Sequence, residues 1–439
     1  MPSQFDPPSG TRDFLAADVD RREHAFSVIK AVFASYGFEP LQTPAFERLD
    51  VLLGKYGDEG DKLIFKILRR GEHEATGEAD LALRYDMTVP LARVAAAYGS
   101  QLPTPYKRYA MGSVWRADRP GKDRYREFAQ CDLDTLGSAS LLADAEVLAA
   151  HHDAVTALGI TDFSILLNSR RVLAGLLAAF SVAPEIGAAV LISLDKLDKI
   201  TPGQVADELT GRGLGTGQAR ELVGTLTAPD AVDQVRVALT KTDEGSAGLD
   251  EVDTLLSHLS GQIPAARIAF TPRLVRGLSY YTGPIWEVVA AGVSGSLGGG
   301  GRYDHLIEQL GGPDVPAVGS SIGVERLLAQ LPGHDDAAPA RLDVAVTVLR
   351  PDLAPQSFAF AAAGRSAGLR ASVYLGASGK LRTQLKWAND TGARWCVIYG
   401  EQELEAGAAT VRDMTTGEQV RVPADELGAY LARAAGSER

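Results

Sequence analysis

The chain has 439 residues, with 44 Lys and Arg against 56 Asp and Glu, a net charge of −12 and 45% hydrophobic residues. That length holds two or three domains, each able to bury a core. The acidic balance excludes indiscriminate coating of nucleic acid, though not a local basic surface that grips one RNA.

Two cysteines far apart, Cys131 and Cys396, exclude a disulfide framework and predict a reducing, cytoplasmic setting. The longest apolar run, about 186–194, is far too short to span a bilayer. The histidines are scattered, so no metal-ligand cluster is expected. The opening MPSQFDPPSG has neither a basic start nor an apolar core, which predicts no signal peptide.

Residues 7–14 read as an ordered loop entering a helix over 18–36. There Ala25, Phe26, Ile29, Val32, Phe33 and Tyr36 keep helical spacing along one apolar stripe. Gly37 ends it, and a strand follows over 38–43 up to Pro44. A long amphipathic helix, a strand and a proline suit a subunit interface; plain core packing gives the same pattern. Further strands are expected at 63–68 and 81–85. The second runs into Asp86-Met87-Thr88-Val89-Pro90 and a helix over 91–97. Asp86 and Thr88 therefore either bind a substrate amine or cap that helix.

Two strand-like runs, 106–115 and 128–136, flank a polar loop containing Pro and Gly, the pattern of a long hairpin. From Lys107 to Arg126 the chain carries seven Lys/Arg and two Asp. That +5 balance runs against the global charge and reads either as an anion site or as a solvated loop. Gln130 and Asp134, an even number apart, share one face of the second strand.

A helix over 139–158 and a strand over 163–167 follow. From about 170 to 261 the chain turns to Ala, Leu, Asp and Lys at helical spacing, the mark of a helical insertion. Strand character returns at 268–270, 274–281, 286–290 and the glycine-rich 295–302, with helices over 304–310 and 321–331. This order predicts an α+β domain with an antiparallel sheet rather than a doubly wound one. Residues 333–339 (GHDDAAP) read as a linker. Beyond it strands at 344–348, 371–374 and 395–399 alternate with helices at 355–367 and 380–389. A hairpin at Thr416-Gly417 and a helix at 424–434 complete a small α/β domain.

Neither GxxxxGK[ST] nor GxGxxG occurs, so a nucleotide is not held by a P-loop or dinucleotide fold. Gly298–Gly301, followed by Arg302-Tyr303-Asp304, is strand-embedded. Its glycines either admit a ligand or a neighbouring backbone, or mark a bulge. Arg116, Arg276 and Arg326 beside Gln130 and Asp134 suit phosphates next to a polar substrate, the needs of nucleotidyl transfer. Each arginine alone reads equally as a surface or ion-pair residue.

Several blocks resemble class II aminoacyl-tRNA synthetases, and within them the histidyl-tRNA synthetase family. Residues 14–44 resemble the dimer-forming first class motif, 106–134 (with WRADRP and RYREFAQCDLD) the second, and 319–327 (GSSIGVERL) the third. LVRGLSYYTG at 274–283 and GGGGRYD at 298–304 resemble blocks peculiar to the histidine family. The resemblance runs over essentially the whole chain. It implies a class II antiparallel-sheet catalytic domain over 1–332, a helical insertion over 170–261, and an anticodon-binding α/β domain over 340–439.

It also implies a cytoplasmic homodimer that uses ATP, accompanied by Mg2+, to attach L-histidine to tRNA(His) through histidyl-adenylate. Arg116 and Arg326 would hold the ATP phosphates, Arg124 would grip the triphosphate, and Phe128 would stack on adenine. Arg276 would sit at the α-phosphate, doing a metal's work. Asp86, Thr88 and Gln130 would bind the α-amino group. Asp134 and Tyr281 would bond the two ring nitrogens, with Tyr303 closing the pocket. A second resemblance is to a non-charging relative, the regulatory subunit of ATP phosphoribosyltransferase. Such relatives generally lack the C-terminal domain and the ATP arginines present here. Two positions depart from the family pattern: Ser279 stands where Asp is usual, and Asp86 where many bacterial members have Glu.

Overall fold

Ala25, Ile29 and Phe33 fall four residues apart and are fully buried, so helix α1 (Ala16–Ser35) turns a narrow apolar stripe inward. Leu15 before it and Val19 within it stay exposed. The computed structural model describes residues 5–71, 76–121, 123–275, 280–293, 295–331 and 342–436. They belong to two units, Met1–Pro332 and Gly333–Arg439. Arg276, Ser279 and the linker expected at 333–339 lie outside the described residues.

In the first unit α1 leads to strand β1 (Glu39–Pro40), then to β2 (Phe46–Arg48), α2 (Leu49–Leu52), α3 (Gly57–Asp61), β3 (Lys66–Leu68) and β4 (Ala79–Leu83). β2, β3 and β4 form a small sheet in the order β2-β4-β3. Helix α4 (Thr88–Tyr98) follows. The expected hairpin then appears as β5 (Tyr106–Trp115) and β6 (Glu127–Leu136), paired from Tyr106 opposite Leu136 to Trp115 opposite Glu127. Ser140 caps α5 (Leu141–Ala157), its hydroxyl accepting the Leu142 N–H at 3.2 Å.

After β7 (Phe163–Ser169) come the insertion helices α6 (Arg170–Ala179), α7 (Pro184–Leu194), α8 (Pro202–Gly211), α9 (Thr216–Thr227), α10 (Ala231–Leu239) and α11 (Asp243–Leu259). α8 starts with a reciprocal cap between Thr201 and Gln204. The chain returns through β8 (Ile268–Phe270), β9 (Pro284–Ala290), β10 (Gly298–Arg302) and β11 (Ala317–Gly323) to helix α12 (Val324–Leu328).

Among the described residues eight strands make one sheet in the order β1-β5-β6-β11-β10-β9-β7-β8. Neighbours run antiparallel except β1 with β5 and β7 with β8. Alternation along β6 explains the layering. Ala129, Cys131 and Leu133 join Ile29, Phe33 and Leu148 in one core, which leaves Gln130, Asp132 and Asp134 on the opposite face. Among the described residues no single helix is long and apolar enough to cross a membrane.

Several expected elements differ. The run 321–331 is not one helix: Ser321 belongs to β11, and the helix begins at Val324. GSSIG is too small and polar to display strand alternation, so the sheet position had no signature. Over 274–281 the described residues Leu274, Val275, Tyr280 and Tyr281 lie outside any strand. Of 304–310 only the single 3-10 turn Glu308–Leu310 forms. The strand expected at 38–43 shrinks to β1, with one further sheet contact beyond it, the Leu41 N–H to Tyr109 O at 2.9 Å.

The second unit comprises β12 (Val344–Val346), α13 (Ala354–Ser366), β13 (Ala371–Val373), α14 (Leu381–Asp390), β14 (Trp395–Ile398), α15 (Glu401–Glu405), β15 (Ala408–Asp413), β16 (Gln419–Pro423) and α16 (Leu427–Gly436). The order is β13-β12-β14-β15-β16. β12, β13 and β14 are parallel, and the β15–β16 hairpin closes one edge antiparallel. Fully buried Gln384 ties α14 to this sheet, accepting the Val348 N–H and donating to Val348 O, both at 2.7 Å.

Candidate active site

The polar face of β6 opens on a cavity of about 780 Å³ bounded by the hairpin loop, β10, the start of α12 and helix α7. Its cationic wall holds Arg116, Arg124 and Arg326. Arg116 ends just past β5 and donates from Nε to Tyr85 O at 3.1 Å. Its guanidinium is stacked between Tyr85 and Phe128, 4.3 and 5.2 Å from the ring centroids. Arg124 is exposed in the hairpin loop and pairs with Asp118 at 2.8 Å. Arg326 reaches from α12 to Ser296 O at 3.1 Å and to Asp123 O at 3.4 Å, joining the hairpin loop to the approach to β10. Phe128 and Gln130 form the adjoining wall with Tyr281.

β10 is a floor that must be bare. A Cβ on Gly298 or Gly300 would lie 2.3 Å from the carbonyl oxygen of Ser321 or Gly319 on β11. The glycines are therefore set by the neighbouring backbone, and with Gly299 between them they line the cavity. Opposite them Leu191 and Ile192 of α7 supply an apolar wall from the insertion.

Beside this cavity lies a buried polar cluster. Asp86 Oδ1 accepts the Val89 N–H at 3.0 Å and the Tyr56 hydroxyl at 3.1 Å. Asp86 thus bonds the first turn of α4 with one oxygen, while Oδ2 is buried without a hydrogen-bond partner among the described residues. Thr88, the first residue of α4, is half-buried beside it. Gln130 Oε1 is likewise buried without a hydrogen-bond partner among the described residues, whereas Asp134 Oδ2 lies 2.8 Å from Arg108 Nη2. Tyr303 is not a cavity wall: it is almost fully buried and donates its hydroxyl to Asp134 Oδ1.

The electrostatics follow from burial. It raises the Asp86 and Asp134 carboxyls above the usual range, against the pull of arginine and hydrogen bonds. Asp132, between Gln130 and Asp134 on the same face, is pushed up to about 7, with burial foremost and Asp134 adding to it. Burial also raises the Tyr281 phenol, which stays protonated and able to donate at neutral pH.

Thus Arg116, Arg124, Phe128, Gln130, Tyr281 and Arg326 line one cavity, with Asp86, Thr88, Asp134 and Tyr303 placed by neighbouring elements. Sequence reasoning missed Tyr56, Asp132 and Arg108. Arg108 is fully buried on β5, directly opposite Asp134. A cation facing an acid across the hairpin was legible once its register was counted.

An antiparallel sheet carrying an arginine-walled cavity, without any P-loop, defines the class: the fold is that of a class II aminoacyl-tRNA synthetase. The histidyl-tRNA synthetase family profile matches residues 10–327, and an anticodon-binding domain profile matches 343–434. A histidine–tRNA ligase from Gloeobacter violaceus is 40% identical, with 96% of this chain and 97% of that protein covered. One from Cytophaga hutchinsonii is 36% identical, covering 96% and 98%. The crystal structure of histidyl-tRNA synthetase from Nostoc sp. PCC 7120 superposes with a TM-score of 0.76 at 30% identity, covering 99% of this chain and all of that one. The chain belongs to the histidyl-tRNA synthetase family.

Proposed function

We propose that the cavity attaches L-histidine to tRNA(His) in two steps driven by ATP. The histidine carboxylate attacks the α-phosphorus in line, forming the acyl–phosphate bond of histidyl-adenylate and releasing pyrophosphate. The terminal ribose hydroxyl of tRNA then attacks the activated carbonyl, and AMP leaves with the bonding electrons. Arg116, Arg124 and Arg326 take the phosphates, Phe128 the adenine, and Arg276 the α-phosphate where charge develops.

Asp86, Thr88 and Gln130 hold the α-amino group. Asp134 accepts from one ring nitrogen and Tyr281 donates to the other, with Tyr303 bracing Asp134. The observation that carries this reading is the pair of buried acceptors without hydrogen-bond partners among the described residues, Asp86 Oδ2 and Gln130 Oε1, beside the Asp134 carboxylate that Arg108 and Tyr303 hold. Left unbonded they are unfavourable, and an ammonium satisfies them, while the ring of histidine bonds Asp134 and Tyr281. A ligand without the ring nitrogens makes neither bond to Asp134 and Tyr281 and is rejected.

Mg2+ that enters with ATP would neutralise phosphate charge. Glu287 offers a hard oxygen donor on the cavity wall. A homodimer built on residues 14–44 is supported by exposed Leu15 and Val19. A cytoplasmic setting is supported by two buried free cysteines. Residues 340–439 would read the anticodon.

Charging transcribed tRNA(His) with each amino acid in turn tests the proposal: histidine alone is transferred. Histidine binding without any transfer to tRNA would favour a regulatory role instead.

A further inference from the structure

We propose that Arg108 is a positioning residue of the histidine pocket, holding the Asp134 carboxylate in place and in charge balance for the substrate's ring. This rests on the reading above, in which Asp134 meets the imidazole. The β5–β6 register sets Arg108 directly opposite Asp134. Both side chains are withdrawn from solvent, at 0% and 2% exposure, with Nη2 2.8 Å from Oδ2. The same Nη2 donates to Met87 O at 3.0 Å. Met87 lies between Asp86 and Thr88, so one guanidinium ties the ring-binding carboxylate to the loop that holds the amino group.

Stability alone does not account for this residue. Arg108 Nε and Nη1 are buried without hydrogen-bond partners among the described residues. An apolar side chain of similar volume would avoid that desolvation. The charge is needed because the pocket collects anions. Asp134 faces Arg108 from β5, Asp132 along its own strand, Asp86 ahead of α4, and the phenols of Tyr303 and Tyr281. Arg108 favours the charged form of all three carboxyls against burial.

An ionised Asp134 accepts from the ring N–H while Tyr281 donates to the other nitrogen. A protonated Asp134 would leave two donors facing a neutral ring that has only one acceptor nitrogen. Arg108 touches neither ring nor ATP, so its effect should fall on histidine recognition alone.

The test uses the full chain in pyrophosphate exchange, measuring KM for histidine and for ATP between pH 6 and 8.5. Arg108→Met should raise the histidine KM at least ~10-fold and leave the ATP KM within about 2-fold, the scale of one lost charge-assisted bond. Its histidine KM relative to wild type should grow as pH falls, because ring titration cancels in the ratio and what remains is protonation of the carboxyls Arg108 keeps charged, Asp134 foremost at the ring. Arg108→Lys should recover part of the loss. If Arg108→Met does not fold, the pH trend of Arg108→Lys decides.

An unchanged histidine KM, or a ratio that is flat with pH while both KM values rise together, would overturn the proposal. Asp134→Ala separates the two levels. If it too spares histidine, the pocket reading itself falls. If it damages histidine binding while Arg108→Met does not, Arg108 alone is removed.

Discussion

Asp134 and Gly319 face each other across β6 and β11, and the carboxylate occupies the space a side chain at 319 would fill. A Cβ on residue 319 would lie 1.9 Å from Asp134 Oδ1 and 2.6 Å from its Cγ. Gly319→Ala must therefore push Asp134 aside. Because Asp134 is wedged between Arg108 and Tyr303, the histidine KM should rise by about 10²-fold, the scale of a misplaced catalytic group. Pyrophosphate exchange at varied histidine checks this, and ATP affinity should change far less.

Glu325, one residue before Arg326, links three elements. One oxygen pairs with Arg22 of α1, and the other accepts the Ala129 N–H of β6 at 2.9 Å. Ala129 follows Phe128 on the cavity wall, so α1 is coupled to the ATP side. Glu325→Ala leaves a buried N–H and a largely buried guanidinium unpaired, a destabilisation of about 3 kcal/mol. A melting-temperature fall of several degrees and a raised ATP KM are expected. Glu325→Gln, which keeps the acceptor, should fall less.

Asp132 supplies a pH prediction. Burial holds it near 7 in the folded chain, against 3.8 ordinarily. Below about 4 it is protonated in both states and carries no penalty. As pH rises towards 7 the unfolded chain loses the proton while the folded chain keeps it, so stability falls, by about 1.4 kcal/mol per unit. Above about 7 the loss levels off. Asp132→Asn removes this slope, so its stability relative to wild type should rise between pH 5 and 7 and then stay constant. Melting temperatures of both proteins across that range check it; a difference that does not vary with pH contradicts it.

Arg276→Ala should slow adenylate formation at least ~10²-fold, by analogy with deleting one preorganised donor. Single-turnover formation of histidyl-adenylate reads this directly. A rate near wild type would remove Arg276 from the catalytic set.

The hairpin was legible because its cue is local: two apolar runs, a Pro/Gly loop and a cluster of cations fix β5, β6 and the placing of Arg116, Gln130 and Asp134. The C-terminal unit was legible for the same reason, each strand and helix declaring its own period. β11 was not. Ala317–Gly323 takes its conformation from β6 and β10 on either side, and its small residues advertise nothing alone. The glycines of β10 were seen, but the reason for them, carbonyls of adjacent strands, depends on pairing that no single segment encodes. Tyr56 has its partner Asp86 far away in sequence, and Arg108 meets Asp134 only once the hairpin register is counted.

The central claim is that one cavity brings a nucleotide's phosphates and an imidazole ring together. A crystal structure of the full chain with ATP and histidinol tests it most directly. The account predicts phosphates within reach of both Arg116 and Arg326, and a ring held between Asp134 and Tyr281. A ring bound elsewhere, with Asp134 still facing only Arg108 and Tyr303, would contradict it.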